Sequence, residues 1–297
     1  MSVPFNIKQK SLFSEILVLI KYRLSFSVVL SSVASYLLAF EVFSISKFLL
    51  LITGGFLVVG ASNGFNQVIE RNFDALMSRT KLRPIPSGNM SVNQANLICL
   101  IIGLSGLIIL YNINFRTSFY GLVSMIIYLI LYTPLKRVTP LSVFFGAIPG
   151  AIPFMLGWVA VTNKFSIETG ILFMIQFFWQ FHHFWAIGWI SHDDYLKAGF
   201  KMLPTGKKDN STSAQILFYS FWAVIISIIP FFGFTRELKL SPTGLIVVVL
   251  LGIFLIYKSY KLFIDGKNKN ARKLMVTSVI YLTFVQLTFL FDKILNL

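Results

Sequence analysis

The chain has 297 residues, of which 56% are hydrophobic and only 12% charged, and its mean hydropathy is +0.77. That charge content is about half of what soluble domains carry, so a soluble enzyme and a disordered chain are both excluded. The single cysteine, Cys99, excludes an intrachain disulfide. The net charge of +15 would indicate nucleic acid in a soluble protein. In a chain this apolar the membrane accounts for the charge better, and we expect no nucleic-acid partner.

Apolar runs long enough to cross a bilayer recur along the whole chain. A spanning helix needs roughly 20 apolar residues, and the runs between polar breaks predict about nine such helices. Because no Pro- or Gly-rich linker divides the chain, we expect one transmembrane domain over residues 1–297 and an all-α fold. The predicted spans are 24–40, 48–69, 95–111, 118–134, 141–161, 169–190, 214–233, 243–262 and 274–291.

Basic residues fall mainly on one side of this predicted arrangement. Twenty of the 26 lie in the N-terminal segment or in the links that follow the second, fourth, sixth and eighth spans, against six on the other side. Short cytoplasmic loops carry the excess of Lys and Arg in membrane proteins. The pattern therefore predicts a cytoplasmic N-terminus, with the two long links, 70–94 and 191–213, in the cytoplasm.

The first long link begins with a polar helix face. If the helix continues out of the membrane, Asn63, Asn66, Glu70 and Asp74 lie within an arc of about 80°. One interpretation is a solvated helix end that carries charges. Two buried amides argue against it, because polar groups inside a span are costly without partners. Carboxylates with nearby cations suit a magnesium-bridged phosphate, which we favour. The cations that follow are Arg71, Arg79, Lys81 and Arg83.

The second long link repeats this chemistry. Asp193 and Asp194 are adjacent carboxylates at a predicted helix end, and Lys197 follows them. A third cytoplasmic feature is the basic pair Lys136 and Arg137, also at a helix end. The pair fits two interpretations equally: it determines topology, or it binds phosphate from the opposite wall of a helix bundle.

All three histidines of the chain fall in one short stretch, and two of them are adjacent inside a span. His182 and His183 are followed by Trp185, and on a helix the two imidazoles point about 100° apart. Imidazole can ligate haem iron or transfer a proton. The alternative is an interfacial aromatic belt with polar tips, and it is nearly as good an explanation for either histidine alone.

These motifs resemble the intramembrane prenyltransferases of the UbiA superfamily. Their first acidic motif, Asn-x3-Asp/Glu-x3-Asp, is matched by Asn66, Glu70 and Asp74. More narrowly, the chain resembles the protohaem IX farnesyltransferase family. The segments that carry this resemblance are 70–84, 135–139, 146–158, 179–186 and 194–204. There are three departures. Ala198 and Gly199 come one residue earlier than in the family, His182 stands where the family usually has proline, and the second acidic motif is reduced to Asp193 and Asp194.

The resemblance implies a UbiA-type bundle that transfers a farnesyl group from farnesyl diphosphate to a vinyl group of protohaem IX, with addition of water. It implies Mg²⁺ as cofactor and a bacterial cytoplasmic membrane as location, with a downstream haem-modifying enzyme or oxidase as a further partner. The implied metal ligands are Asn66, Glu70, Asp74, Asp193 and Asp194. The implied diphosphate ligands are Arg71, Arg79, Arg83, Lys136, Arg137 and Lys197. The implied haem contacts are His183, His182 and Trp185.

Two alternatives remain open from the sequence. One is a relative that prenylates a quinone precursor, with the same ionisation step but an aromatic acceptor. The other is a polytopic transporter, in which buried polar residues mark a substrate pathway. The carboxylates argue against transport because they cluster at the predicted ends of spans and not at the midplane.

Overall fold

The computed structural model describes residues 11–295, and every regular element in that part of the chain is helical, which confirms the predicted all-α fold. Lys8 and Lys10, which belong to the basic N-terminal segment, lie outside the described residues. The helices are α1 (Leu12–Leu19), α2 (Tyr22–Ala39), α3 (Ile45–Asp74), α4 (Val92–Tyr111), α5 (Phe115–Ile126), α6 (Thr133–Val138), α7 (Ser142–Thr162), α8 (Ile167–Ile190), α9 (His192–Lys197), α10 (Asn210–Ile228), α11 (Pro242–Asp265) and α12 (Asn268–Leu295). A π-helical segment, Ile127–Tyr132, joins α5 to α6, and a 3-10 turn, Ile229–Phe232, follows α10.

Eight helical stretches between residues 11 and 295, with α5 to α6 counted as one, are long and apolar enough to cross a membrane. They coincide within a few residues with eight of the predicted spans. The predicted span 169–190 forms α8, which is not among the eight. Its 24 residues extend about 36 Å, enough to cross a bilayer, but glutamines and histidines reduce its hydropathy. The count of nine crossings stays a prediction.

The long helices pack into one bundle with α7 at its centre. In the most apolar stretch of α7, 72% of the residues are buried, more than in any of the other seven stretches. α7 packs against α2, α5 and α8, and α3 packs against α2 and α4. On the other side, α8 contacts α10 and α12, and α12 returns to α2. α2 therefore connects the side of the bundle that contains α3 to the side that contains α8 and α12.

Small residues allow α7 to approach α2 closely. A Cβ atom at Gly157 would lie 1.9 Å from the carbonyl oxygen of Ser32 and 2.3 Å from the hydroxyl of Ser35. The Ser32 hydroxyl also donates a hydrogen bond to the carbonyl of Pro153 (2.8 Å). Close backbone approach through Gly and Ser is the usual way in which helices associate in lipid. This contact fixes the position of α2 and of the turn that precedes it.

The turn between α1 and α2 is held against α3. The side-chain amide of Gln67 donates to the carbonyl oxygens of Val18 (3.1 Å) and Leu19 (2.7 Å) at the end of α1. Glu15, on the same short helix, accepts a hydrogen bond from Asn89 in the α3–α4 link (2.9 Å). These contacts place the first residues of α2 beside the polar end of α3.

Candidate active site

The predicted polar face of α3 exists and is buried. α3 continues without interruption to Asp74, so that Asn63, Asn66, Glu70 and Asp74 lie along one side of the helix. Each of the four has at most 5% of its surface exposed. Charged side chains at a solvated helix end are exposed to water. The burial of these four residues therefore excludes a solvated helix end as the explanation of the motif.

Both carboxylates of this face form buried ion pairs. The Nζ atom of Lys136, on α6, lies 2.6 Å from Oε1 of Glu70, and both side chains are less than 10% exposed. Nη1 of Arg83, in the α3–α4 link, lies 2.6 Å from Oδ2 of Asp74. Lys136 and Arg83, both predicted to bind phosphate, therefore each contact one of the two buried carboxylates. A buried charge without a partner is strongly destabilising, so the two buried carboxylates need these two cations.

Asp74 retains an unused ligand atom. Its Oδ1 is buried and accepts no hydrogen bond from any described residue. Among residues 11–295 no three acidic, histidine or cysteine side chains lie close enough together to hold a metal ion by themselves. Mg²⁺ commonly takes only one or two carboxylates and completes its shell with phosphate oxygens and water. The buried, unpartnered oxygen of Asp74 therefore fits a Mg²⁺ ion that arrives with a phosphate, and Asn66 offers a further oxygen on the same face of α3.

Lys21 is a site residue that the sequence reasoning missed. Its ammonium lies 3.3 Å from Oδ1 of Asn63 and 3.5 Å from Oδ1 of Asn66. The backbone of Lys21 is left-handed, with φ of 47°, a conformation that is uncommon for residues other than glycine, asparagine and aspartate. Such strain persists where the surrounding structure holds it, often at functional sites.

The charge of Lys21 depends on its neighbours. Burial and, to a smaller extent, the positive charges of Arg83 and Lys136 lower the pKa of its ammonium from 10.5 to about 7, against the opposing effect of Glu70 and Asp74. An anion beside these cations would favour the charged ammonium. The cluster therefore suits a polyanionic ligand.

The π-helical segment supplies further polar contacts to this cluster. Thr133, directly after it, accepts a hydrogen bond from Nδ2 of Asn66 (3.1 Å) and donates to the carbonyl of Tyr128 (2.8 Å). The ring of Tyr132 lies under the ammonium of Lys136, with 4.4 Å to the ring centre. Gly146 makes room for this ring, because a Cβ there would come within 2.6 Å of it. Departures from α-helical geometry of this kind are frequent at functional sites.

The second acidic pair does not act as a unit. Both carboxylate oxygens of Asp194 accept hydrogen bonds from the α3–α4 link, from the backbone amides of Ser78 (2.9 Å) and Arg79 (3.2 Å). Partial burial acts to raise the pKa of Asp194, but these amides and Lys197 outweigh it, and the pKa is lowered. Asp193 instead has an 84% exposed side chain, 3.8 Å from Lys208. Asp194 therefore ties α9 to the first link, whereas Asp193 faces outward.

The remaining predicted cations lie around the cluster and not within it. The guanidinium of Arg137 stacks over Phe73 at 4.2 Å, and that of Arg79 lies 5.8 Å from the ring of Tyr195. Lys197 pairs with Asp194 at 3.2 Å. Arg71 turns back to donate to the carbonyl of Val68 (2.9 Å) on its own helix. Of the six predicted diphosphate ligands, only Lys136 and Arg83 contact the buried acids.

His183 faces α12. Its Nδ1 atom lies 2.8 Å from the hydroxyl of Ser278, and its ring stacks on Trp179 at 4.4 Å. The indole of Trp179 donates to the carbonyl of the same Ser278 (2.6 Å). One residue of α12 therefore orients both aromatic side chains.

The three predicted acceptor contacts do not share one surface. His182 is fully buried, and neither ring nitrogen has a hydrogen-bond partner among residues 11–295. Trp185 packs edge-on against Tyr219 of α10 at 5.2 Å and lines a separate aromatic cleft of about 250 Å³. Two residues along a helix are about 200° apart, so His183 and Trp185 point in opposite directions.

The sequence of this chain matches the UbiA prenyltransferase family over residues 28–285. The chain belongs to this family. A protein of Flavobacterium psychrophilum named protoheme IX farnesyltransferase is 52% identical to it over 290 residues, which cover 97% of each chain.

Solved structures share the fold of this UbiA family member at lower identity. A digeranylgeranylglyceryl phosphate synthase superposes with a TM-score of 0.77 at 22% identity, over 94% of this chain and 98% of that one. A UbiA homologue from Archaeoglobus fulgidus, bound to GPP and Mg²⁺, has a TM-score of 0.69 at 17% identity, over 93% and 99% of the two chains. The predicted UbiA-type bundle is therefore confirmed.

Proposed function

We propose that this UbiA-family protein transfers the farnesyl group of farnesyl diphosphate to a vinyl group of protohaem IX, with addition of water, and yields haem O and pyrophosphate. The observation that carries the proposal is the buried cluster in which two carboxylates, Glu70 and Asp74, lie beside the cations of Lys21, Lys136 and Arg83. The acceptor is assigned from the 52% identity to a protoheme IX farnesyltransferase.

The cations of the cluster act on the leaving group. As the bond between the farnesyl carbon and the diphosphate oxygen breaks, negative charge grows on the pyrophosphate. Lys21, Lys136 and Arg83 supply positive charge at fixed positions in a buried site, which is the arrangement that stabilises such a transition state most effectively. The vinyl group then attacks the allylic cation, and water adds to the resulting carbon and loses a proton.

Asn66, Glu70 and Asp74 are the residues that we propose hold Mg²⁺. The ion would neutralise phosphate charge and so assist departure of pyrophosphate. Asp193 and Asp194 were predicted as further ligands from the resemblance. Because both oxygens of Asp194 are engaged by backbone amides, we propose that it orders the link that carries Arg79 and Arg83.

The acceptor side is assigned to the interior between α8 and α12. Ser278 engages Nδ1 of His183, and we propose Nε2 as the nitrogen that contacts the haem. α8 ends at Ile190, and His183 lies seven residues before that end, about 10 Å along the helix axis. We propose that this depth places the haem beneath the diphosphate. His182 and Trp185 face other helices, so they rank behind His183 as haem contacts.

We further propose that the whole chain is one domain in a bacterial cytoplasmic membrane, with the N-terminus and the diphosphate cluster on the cytoplasmic side. The excess of basic residues on that side supports this orientation. The diphosphate of farnesyl diphosphate is charged and stays in water, whereas its farnesyl chain is apolar. A cluster at the cytoplasmic ends of α3 and α6 would bind the diphosphate from the cytoplasm.

The proposal is tested with purified protein, farnesyl diphosphate, haem and Mg²⁺, followed by chromatography and mass analysis of the extracted haem. The expected product is haem that has gained one farnesyl group and one water. A parallel reaction offers an aromatic quinone precursor instead of haem. Prenylation of that compound without haem conversion would contradict the assigned acceptor. Asp74→Asn is the matched variant, which keeps shape but removes the charge, and it should abolish turnover.

A further inference from the structure

A basic cleft opens between α11 and α12, beyond the residues assigned to catalysis. It has a volume of about 680 Å³ and lies next to the turn that joins the two helices. Residues 269, 272, 273 and 276 follow the i, i+3, i+4, i+7 spacing of a single helix face. The lining residues are Lys258, Asn268, Lys269, Arg272, Lys273, Val276 and Thr277.

The four cations of the cleft have no anionic partner in the part of the chain that the structure describes. None of the ion pairs formed among residues 11–295 includes Lys258, Lys269, Arg272 or Lys273. Asp265, the nearest carboxylate in sequence, is engaged by Asn270 (2.8 Å). Four like charges around one cavity raise the local positive potential, and this potential attracts an anion.

The protein surface that adjoins the cleft at Lys258 and Val276 is apolar. The ammonium of Lys258 lies 4.7 Å from the centre of the Phe254 ring and 5.1 Å from that of Tyr257, and both rings are more than 40% exposed. Val276, on the facing helix, is 50% exposed. Aromatic rings and long basic side chains meet in this way at the level of lipid headgroups.

We propose that this cleft binds the phosphate headgroup of an anionic phospholipid, whose acyl chains lie along the exposed apolar surface of α11 and α12. A guanidinium that can hold two phosphate oxygens, three ammonium groups and an adjoining apolar surface match a charged headgroup joined to hydrocarbon. A free phosphate would contact the cations but would make no contact with the apolar surface.

The lipid would also stabilise the position of α12. Thr277, which lines the cleft, is followed directly by Ser278, which holds His183 and Trp179 of α8. A headgroup that bridges α11 and α12 therefore acts one residue away from the contact that orients the proposed haem ligand.

The test measures binding of phosphatidylglycerol and of phosphatidylcholine to the full chain in detergent micelles by native mass spectrometry. The variant Arg272→Gln/Lys273→Gln removes two cations of the cleft. In the proposed complex both cations contact the phosphate, and the loss of each charge-assisted contact costs at least about 1 kcal/mol, so phosphatidylglycerol binding should weaken at least about 30-fold. The matched control, Lys261→Gln/Lys267→Gln, removes the same charge from the same region outside the cleft and should bind like the wild type.

Three results would overturn the proposal. Equal weakening in the control would show that net charge, and not the cleft, attracts the lipid. Equal binding of the two lipids would show that the anionic headgroup is not recognised. Displacement of phosphatidylglycerol by an equal concentration of inorganic phosphate would show a site for free phosphate. If the first variant does not fold, Lys258→Gln/Lys269→Gln removes two other cations of the same cleft and must give the same weakening.

Discussion

The ion pair between Lys136 and Glu70 offers a quantitative test of the site. Both side chains are less than 10% exposed, and their charged atoms lie 2.6 Å apart. Replacement of Lys136 by Met leaves Glu70 as a buried charge without its partner, which typically costs about 3–5 kcal/mol. At roughly 2–4 °C per kcal/mol for a protein of this size class, Tm should fall by roughly 6–20 °C.

The double variant Lys136→Met/Glu70→Gln separates charge from packing. The double variant removes both charges and keeps most of the side-chain volume. It should therefore recover at least half of the decrease in Tm that Lys136→Met alone causes. The assay is thermal unfolding in detergent micelles, followed by tryptophan fluorescence. Arg137→Met is the control: its guanidinium stacks on Phe73 without an acidic partner, and its loss should cost about 1 kcal/mol. Equal Tm values for the single and double variants would refute the buried pair.

Three further predictions concern single residues. Lys21→Met should weaken farnesyl diphosphate binding about 10- to 150-fold, the loss of one charged hydrogen bond. Because the pKa of Lys21 is about 7, the ammonium loses its proton over roughly pH 6–8. Calorimetry should therefore show a greater loss of affinity with rising pH for the wild type than for Lys21→Arg; parallel pH profiles would contradict this. Gly157→Ala should lower Tm strongly because its Cβ would meet the α2 backbone, whereas Gly170→Ala, with nothing within 4 Å, should not. His183→Ala should weaken haem binding, measured by absorbance titration, more than diphosphate binding; an equal loss of both together with a lower Tm would leave the histidine a structural role only.

The hydropathy pattern predicts most of this fold because lipid imposes a simple rule. A span must be apolar over about 20 residues whatever it packs against, so the runs of the sequence mark the helices within a few residues. α8 shows where the rule weakens: its helix forms as predicted, but its mean hydropathy falls below that of the other spans because it carries polar groups for the interior. Short helices such as α1 and α9 produce no comparable signal.

Helical spacing predicts only the part of the site that lies on one helix, whereas Lys136 and Arg83 are predicted from the basic links and from the family resemblance. Asn63, Asn66, Glu70 and Asp74 follow helical spacing, and their common face is read directly from the sequence. Lys21 lies more than 40 residues away from Asn63 and Asn66, and in the sequence it resembles any other basic residue of the N-terminal segment. Its role depends on how α2 packs against α3, which spacing does not reveal. The contact of Thr133 with Asn66 also depends on helix packing that the sequence does not reveal.

The predicted acceptor residues show a different limit. Helical geometry separates His182 from His183 and indicates that only one faces the interior, but it does not say which. The structure shows that His183 faces α12, where it contacts Ser278, and that His182 is fully buried. A contact between helices that are 95 residues apart leaves no trace in local sequence patterns.

The measurement that tests the central claim most directly is the ratio of pyrophosphate released to haem converted in one reaction of the purified protein with farnesyl diphosphate, haem and Mg²⁺. Ionisation of the diphosphate followed by capture of the cation by the haem vinyl group predicts one pyrophosphate for each farnesylated haem, and neither product from Asp74→Asn. Pyrophosphate release without haem conversion, or haem conversion undiminished in Asp74→Asn, would contradict the account.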